Sequence, residues 1–93
     1  MCGISGIINK RGAAVDAAAV RAMNASIAHR GPDGEGEYFW KNLAFGHRRL
    51  SIIDLTECGH QPMSYGGGDL VLTYNGEIYN YLELRDELQE KGH

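Results

Sequence analysis

The sequence predicts a mixed α+β fold, on three observations. Two segments, Asp16–Ile27 and Asn80–Gly92, carry helix punctuation and apolar spacing. Between and before them lie short apolar or aromatic runs of strand length, separated by turn residues. Glycine is in excess, at 13 of 93 residues, about twice the usual share, and it stands singly beside polar residues except in Gly66-Gly67-Gly68.

Taken in order, Gly3–Ile8 is short, apolar and isoleucine-rich, as a buried strand is. Lys10–Ala13 turns the chain, and Asp16 is placed to cap a helix whose apolar face is Ala19, Val20, Met23 and Ile27. His29-Arg30-Gly31-Pro32 stops that helix: cations near its C-terminal dipole, a glycine for the left-handed position, then a proline. Asp33–Glu37 reads as a glycine-spaced loop, and Tyr38–Trp40 with Leu43–Phe45 as a hairpin turning at Lys41-Asn42. Leu50–Leu55 is a further apolar run, Thr56–Gly68 a loop, Asp69–Tyr74 a strand, and Glu77–Tyr79 a short strand. Asn80 and Glu83 form a capping pattern for a second helix that presents Tyr81, Leu84 and Leu88, carries a Glu87/Lys91 pair and ends at Gly92.

Composition removes several function classes. Nine basic against 12 acidic residues give a net charge of −3, and basic residues concentrate only at His47-Arg48-Arg49, so nucleic-acid backbone binding is not expected. No apolar stretch has the length of a membrane span and no secretory signal opens the chain, which reads as cytoplasmic. Two cysteines, Cys2 and Cys58, are too few for a disulfide scaffold and are expected as free thiols. Cys58-Gly59-His60, with His47, Cys2 or His93, invites a metal reading, but the spacings fit no zinc pattern and no metal is expected.

The residue with the most chemistry is Cys2. The small side chains of Cys2 and Gly3 favour removal of Met1, which would leave an N-terminal cysteine. Its α-amine, with a reference pKa of about 7.7–8.0, would then be within reach of its own thiol, so that one residue supplies nucleophile and base. By position alone Cys2 reads as a small terminal residue. The context is the order of five blocks: Cys2-Gly3-Ile4-Ser5-Gly6-Ile7, HRGPDGEG at 29–36, GHRRLSIIDL at 46–55, GHQP at 59–62 and YNGEIYN at 74–80. Together they resemble the glutaminase domain of asparagine synthetases, a branch of the class II glutamine amidotransferases within the N-terminal nucleophile hydrolases, from Met1 to His93. Arg49-Leu50-Ser51 and Tyr74-Asn75-Gly76 stand where related branches carry Arg-Trp or Arg-Tyr and His-Asn-Gly.

That resemblance implies roles residue by residue. Cys2 is the expected nucleophile on the side-chain amide of L-glutamine. Arg49 is expected to hold the α-carboxylate, for which a planar guanidinium is suited; outside the family pattern it is a solvated surface arginine. Leu50, Ser51, Ile52 and Ile53 are expected to run alongside the substrate as backbone and pocket wall. Asn75 and Gly76 are the expected oxyanion hole, with a side-chain amide and a backbone N–H, although Asn-Gly is also a strong hairpin signal. Glu77 is expected to receive the α-ammonium. His29, Arg30 and Asp33 are candidates to organise the loop over the site.

The resemblance further implies the N-terminal part of a four-layer αββα fold with antiparallel sheets, of which residues 1–93 would be a truncated portion, with open sheet edges and uncovered apolar faces. A Ser-Asp segment that contacts the substrate ammonium in the family has no counterpart here. No cofactor is expected in these residues; ATP and Mg would belong to a C-terminal synthetase domain, absent here, that serves as partner and passes ammonia to an activated carboxylate, aspartate first. With Met1 in place the 93 residues alone are expected to be inactive. The alternatives are a non-catalytic glutamine-binding or interaction module, a homo-oligomer that buries its open edge, and an amidotransferase acting on a cell-surface polymer precursor.

Overall fold

A computed structural model describes all 93 residues, Met1–His93. It is α+β, and every strand pairing within its two sheets is antiparallel. The larger sheet has β1 (Gly3–Ile8), β2 (Gly34–Trp40) and β3 (Leu43–Arg49) in the order β1-β3-β2. Between β1 and β2 the chain forms α1 (Ala17–Ser26); after β3 come the two-stranded ribbon of β4 (Met63–Tyr65) and β5 (Leu70–Leu72), and then α2 (Tyr81–Glu90).

Asp16 caps α1 as expected, its carboxylate accepting from Ala18 N at 3.0 Å. The buried face of α1 differs from the expected one. Val20 is buried, but its companion is Asn24, whereas Met23 is turned outward. Asn24 is satisfied on both sides: Ser5 Oγ donates to its Oδ1 at 2.9 Å, and its Nδ2 donates to Gly36 O at 3.2 Å. One polar side chain thereby ties α1 to β1 and β2. The α-helix ends at Ser26, with Ile27 as its C-cap, and continues into a single 3-10 turn, Ala28–Arg30. Gly31 does not take the left-handed conformation the sequence suggested, since its φ is −142°. What requires glycine there is packing: a Cβ would overlap the Arg48 carbonyl.

The hairpin at Lys41-Asn42 is present, with Lys41 at φ 50° and Trp40 opposite Leu43. Both its strands are longer than the apolar pattern indicated. Gly34–Glu37 belongs to β2 and not to a loop, and β3 continues through Gly46-His47-Arg48-Arg49. Conversely Leu50–Leu55 is no strand: it leaves the sheet, and Ile52, Ile53 and Leu55 are exposed. Met63–Tyr65 forms β4 inside the expected loop, β5 covers only part of Asp69–Tyr74, and Glu77–Tyr79 is not a strand. Helix α2 forms and keeps its Glu87–Lys91 pair at 2.5 Å, but Asn80 makes no side-chain cap bond.

The core is thin. Eight residues are buried, and four of them, Gly3, Gly31, Gly36 and Gly46, are glycines. The exposed area of 6723 Å² exceeds the roughly 5,300 Å² of a compact monomer of this mass. The excess is apolar in part: Ile4 and Ile8 on β1, Phe39 and Trp40 on β2, and Met63, Tyr65, Leu84 and Leu88 along β4 and α2 are all exposed. No helix is long and apolar enough to cross a membrane.

Candidate active site

The register of the larger sheet assembles half of the site. Gly3 pairs with Arg48, so the residue before Gly3 lies beside the residues that follow Arg48. Cys2 is accordingly half-buried against Leu50: its Sγ accepts from Leu50 N at 3.3 Å and lies 3.6 Å from Leu50 O. On the other side Arg30 Nε donates to the Cys2 carbonyl at 3.1 Å. The turn that ends α1 thus reaches the main chain of Cys2.

Arg49, the last residue of β3, is fixed by the loop that follows it. Its Nη1 donates to Thr56 O at 2.6 Å and its Nη2 to Asp54 O. The loop is closed on itself by the Asp54 carboxylate, which accepts from Thr56 Oγ1 at 2.7 Å and Thr56 N at 2.8 Å. These bonds, the hydroxyl first and the N–H second, hold the Asp54 carboxyl below its ordinary range. Asp33 holds the near end of the same loop: its Oδ2 accepts from Ser51 N at 2.8 Å, while its own N–H donates to Arg49 O at 3.0 Å.

The other half comes from the segment after β5. Tyr74 is held at both backbone groups, its N–H donating to Gln61 Oε1 at 2.6 Å and its carbonyl accepting from His47 Nε2 at 3.2 Å. Its ring folds back over Gly76, where a Cβ would overlap the hydroxyl, and this brings Gly76 and Glu77 to the cleft. His47 is fully buried. Burial, the largest cause, with the nearby His60 and Arg49 charges, lowers its pKa from the ordinary 6.5, against the raising effect of the Tyr74 carbonyl. The imidazole is therefore neutral at pH 7, and the bond to Tyr74 puts its proton on Nε2.

These two halves enclose a cleft of about 190 Å³ lined by Cys2, Arg49, Leu50, Ser51, Ile52, Ile53, Gly76 and Glu77, with Asp54, Gly59, Gln61 and Tyr74 completing the wall. Its volume is below the roughly 300–1,000 Å³ of pockets for drug-sized ligands, and it offers a thiol, a guanidinium, a carboxylate and backbone N–H groups. Asn75 is the one expected site residue whose side chain does not line it; its Oδ1 is buried without a partner. Asp54, Gly59, Gln61 and Tyr74 were given no role from sequence. The only signal for these four is their place inside or at the start of the blocks at 46–55, 59–62 and 74–80. Of His29, Arg30 and Asp33, the last two bond to site residues.

No group of three or more His, Cys, Asp or Glu side chains is placed to hold a metal ion, and both thiols are free. Nor does the glycine run fit a nucleotide-phosphate cradle: Gly66–Gly68 makes the turn between β4 and β5 and opens no helix.

Residues 1–93 match the family model described as a glutamine amidotransferase domain. Among curated proteins, the chain is 48% identical over 96 residues to the glutamine-hydrolysing asparagine synthetase 1 of Bacillus subtilis, covering all of this chain and 15% of that relative. It is 42% identical over 91 residues to asparagine synthetase 2 of the same organism, covering 95% of the chain and 12% of the relative. Asparagine synthetase 3 is 38% identical over 96 residues, with 100% and 16% covered. The chain therefore spans less than a fifth of the length of these relatives.

Proposed function

Because the chain belongs to the glutamine amidotransferase domain family, we propose that it is the N-terminal glutaminase portion of an asparagine synthetase-like enzyme, which hydrolyses glutamine to glutamate and ammonia through a Cys2 thioester. The observation that carries this reading is the convergence of Cys2, Arg49, Gly76 and Glu77 on one small cleft from three separate stretches of sequence. Arg49 and Glu77 are suited to the two ends of an amino-acid zwitterion, which selects free glutamine over a peptide-bound amide. With both ends held, the side-chain amide is directed at the thiol.

Removal of Met1 frees the Cys2 α-amine, which takes the thiol proton as Sγ attacks the amide carbon. The oxygen becomes an anion; Gly76 lines the cleft and its N–H is the first proposed donor, and the Asn75 amide is the second, on turning its side chain toward the cleft. Each such donor typically contributes about 3–4 kcal/mol to the barrier reduction. Collapse of the intermediate breaks the C–N bond, and the proton on the α-amine leaves with ammonia. Water then attacks the thioester carbon, releasing glutamate and restoring the thiol. The bond from Leu50 N to Sγ holds the sulfur at the wall of the cleft.

The ammonia is proposed to pass to an ATP-activated carboxylate, aspartate first, in a synthetase domain outside these residues, where ATP and Mg would bind. The test is made in the full-length protein. Mass spectrometry of its N-terminus is expected to show loss of Met1, and Cys2→Ala is expected to abolish glutamine hydrolysis. Undiminished hydrolysis by Cys2→Ala would falsify the assignment.

A further inference from the structure

Arg49 ends β3 with a long, flexible side chain, and something must fix its guanidinium if it is to meet a carboxylate in a bidentate geometry. The restraint comes from the loop that follows the strand. The carbonyls of Asp54 and Thr56 each take one N–H from the fork, at Nη2 and Nη1. The remaining three of its five N–H groups stay available. Behind the fork lies the short 3-10 turn Glu57–Gly59, which Thr56 caps through a bond from Cys58 N to Thr56 Oγ1 at 3.2 Å. Gly59 closes this turn with no side chain. A Cβ built there would stand 2.8 Å from Arg49 Cζ and 3.3 Å from Nε, and closer still to Nη2.

From this we infer that Gly59 is a positioning residue for substrate binding: its bare backbone is the floor on which the Arg49 guanidinium lies while Asp54 and Thr56 hold its edge. The inference rests on the reading of Arg49 as the carboxylate anchor. Two features separate it from a general packing role. Gly59 does not have a positive φ, so alanine suits its backbone. And the atoms an added methyl would meet are the far end of a flexible side chain, which moves aside more cheaply than main chain. The methyl therefore shifts the guanidinium and leaves the fold in place.

The experiment compares Gly59→Ala and Arg49→Lys with the unaltered full-length protein, using glutamine, 4-aminobutanamide (glutamine without its α-carboxylate) and iodoacetamide, which alkylates the Cys2 thiol. Gly59→Ala is expected to raise KM for glutamine at least about tenfold, the effect of losing one charge-assisted hydrogen bond, while kcat changes less than threefold. Its kcat/KM for 4-aminobutanamide, its rate of Cys2 alkylation and its thermal melt are expected to match the unaltered protein. Arg49→Lys is expected to raise KM for glutamine by at least as much. A normal KM in Gly59→Ala beside a raised KM in Arg49→Lys overturns the role of Gly59 and leaves the anchor standing. An unchanged KM in both overturns the anchor itself. Equal losses on glutamine and 4-aminobutanamide, or loss of the cooperative melt in Gly59→Ala, also overturn the inference, because it requires the guanidinium and not the loop to yield.

Discussion

Replacing Asn24 by leucine keeps the branched outline of the side chain and removes its hydrogen bonds, and the structure specifies what is then left unpaired. Asn24 is 2% exposed; it receives the Ser5 hydroxyl and donates to the Gly36 carbonyl. With leucine in its place, a half-buried hydroxyl and a buried main-chain oxygen lose their partners. Each such loss costs about 1–3 kcal/mol, and the gain from burying leucine offsets part of it, so a net destabilisation of about 2–4 kcal/mol is expected. Because the bonds join α1 to β1 and β2, the effect belongs to that unit. Hydrogen exchange followed by mass spectrometry, on peptides spanning α1 and β2 of the full-length protein, reads it locally. Protection is expected to fall roughly 30- to 700-fold. Ser5→Ala adds a control on the cause. Alone it strands Asn24 Oδ1 and is expected to be costly; in the Asn24→Leu background it removes an already unpaired hydroxyl and is expected to cost nothing further, a coupling of about 1 kcal/mol or more. A loss of protection below threefold in Asn24→Leu, or additive costs in the double variant, would refute the account of Asn24 as the polar tie between these elements.

Two further expectations concern the site. Asn75→Ala is expected to lower kcat for glutamine hydrolysis by about 10²–10³ with little change in KM, measured by coupled glutamate detection; an equal rise in KM would assign Asn75 to ground-state binding. His47, whose folded pKa lies below 6.5, remains neutral over a pH window in which the unfolded chain takes up its proton. Its contribution to stability is therefore full above that ordinary value and is lost as pH falls through the window toward the folded pKa. Protection of the β3 and 73–77 peptides is expected to drop between pH 7.5 and 5.5, and less so in His47→Gln, which retains a donor for Tyr74 O.

Local chemistry was legible wherever one stretch of chain decides the outcome. Asp16 announces its helix because a carboxylate two residues ahead of Ala18 can reach that N–H without help from elsewhere. The turn at Lys41-Asn42 follows from the aromatic and apolar runs on either side. The misreadings have a common origin in contacts between distant segments. Gly34 and Gly36 looked like loop residues because glycine is poor in isolated strands, but Gly36 lies in β2 because the Gln61 carbonyl occupies the space a Cβ would fill. Leu50–Leu55 reads in the sequence only as an apolar run; in the structure Arg49 binds the Asp54 and Thr56 carbonyls and the segment curls away from the sheet. Most of the cleft residues were found through the resemblance of ordered motifs. The groups that hold them, Arg30 on Cys2, Gln61 and His47 on Tyr74, Gly59 under Arg49, are tertiary and have no local signature.

The excess of glycine and the placement of the cleft follow from one structural choice. Strand β3 is the middle of its sheet, and its last four residues, Gly46-His47-Arg48-Arg49, meet a different partner on each side. Toward α1, Gly46 leaves room for Asn24 Oδ1 and Ser5 Oγ, and Arg48 Nε donates to Gly31 O at 3.2 Å over a glycine that a Cβ would push off. Away from α1, His47 and its sheet neighbour Gly36 meet the 60–61 and 74 segments. A chain with so few buried apolar side chains cannot fix these segments by filling the space between them with leucine and valine. It fixes them by letting main chain and polar side chains approach at contact distance, which only glycine permits at those points. The Cys2–Arg49 half of the cleft depends on the first set of contacts, and the Gly76–Glu77 half on the second. Their relative position is consequently set through β3 itself, so a side chain added at Gly36 would separate the thiol from Gly76 without touching either.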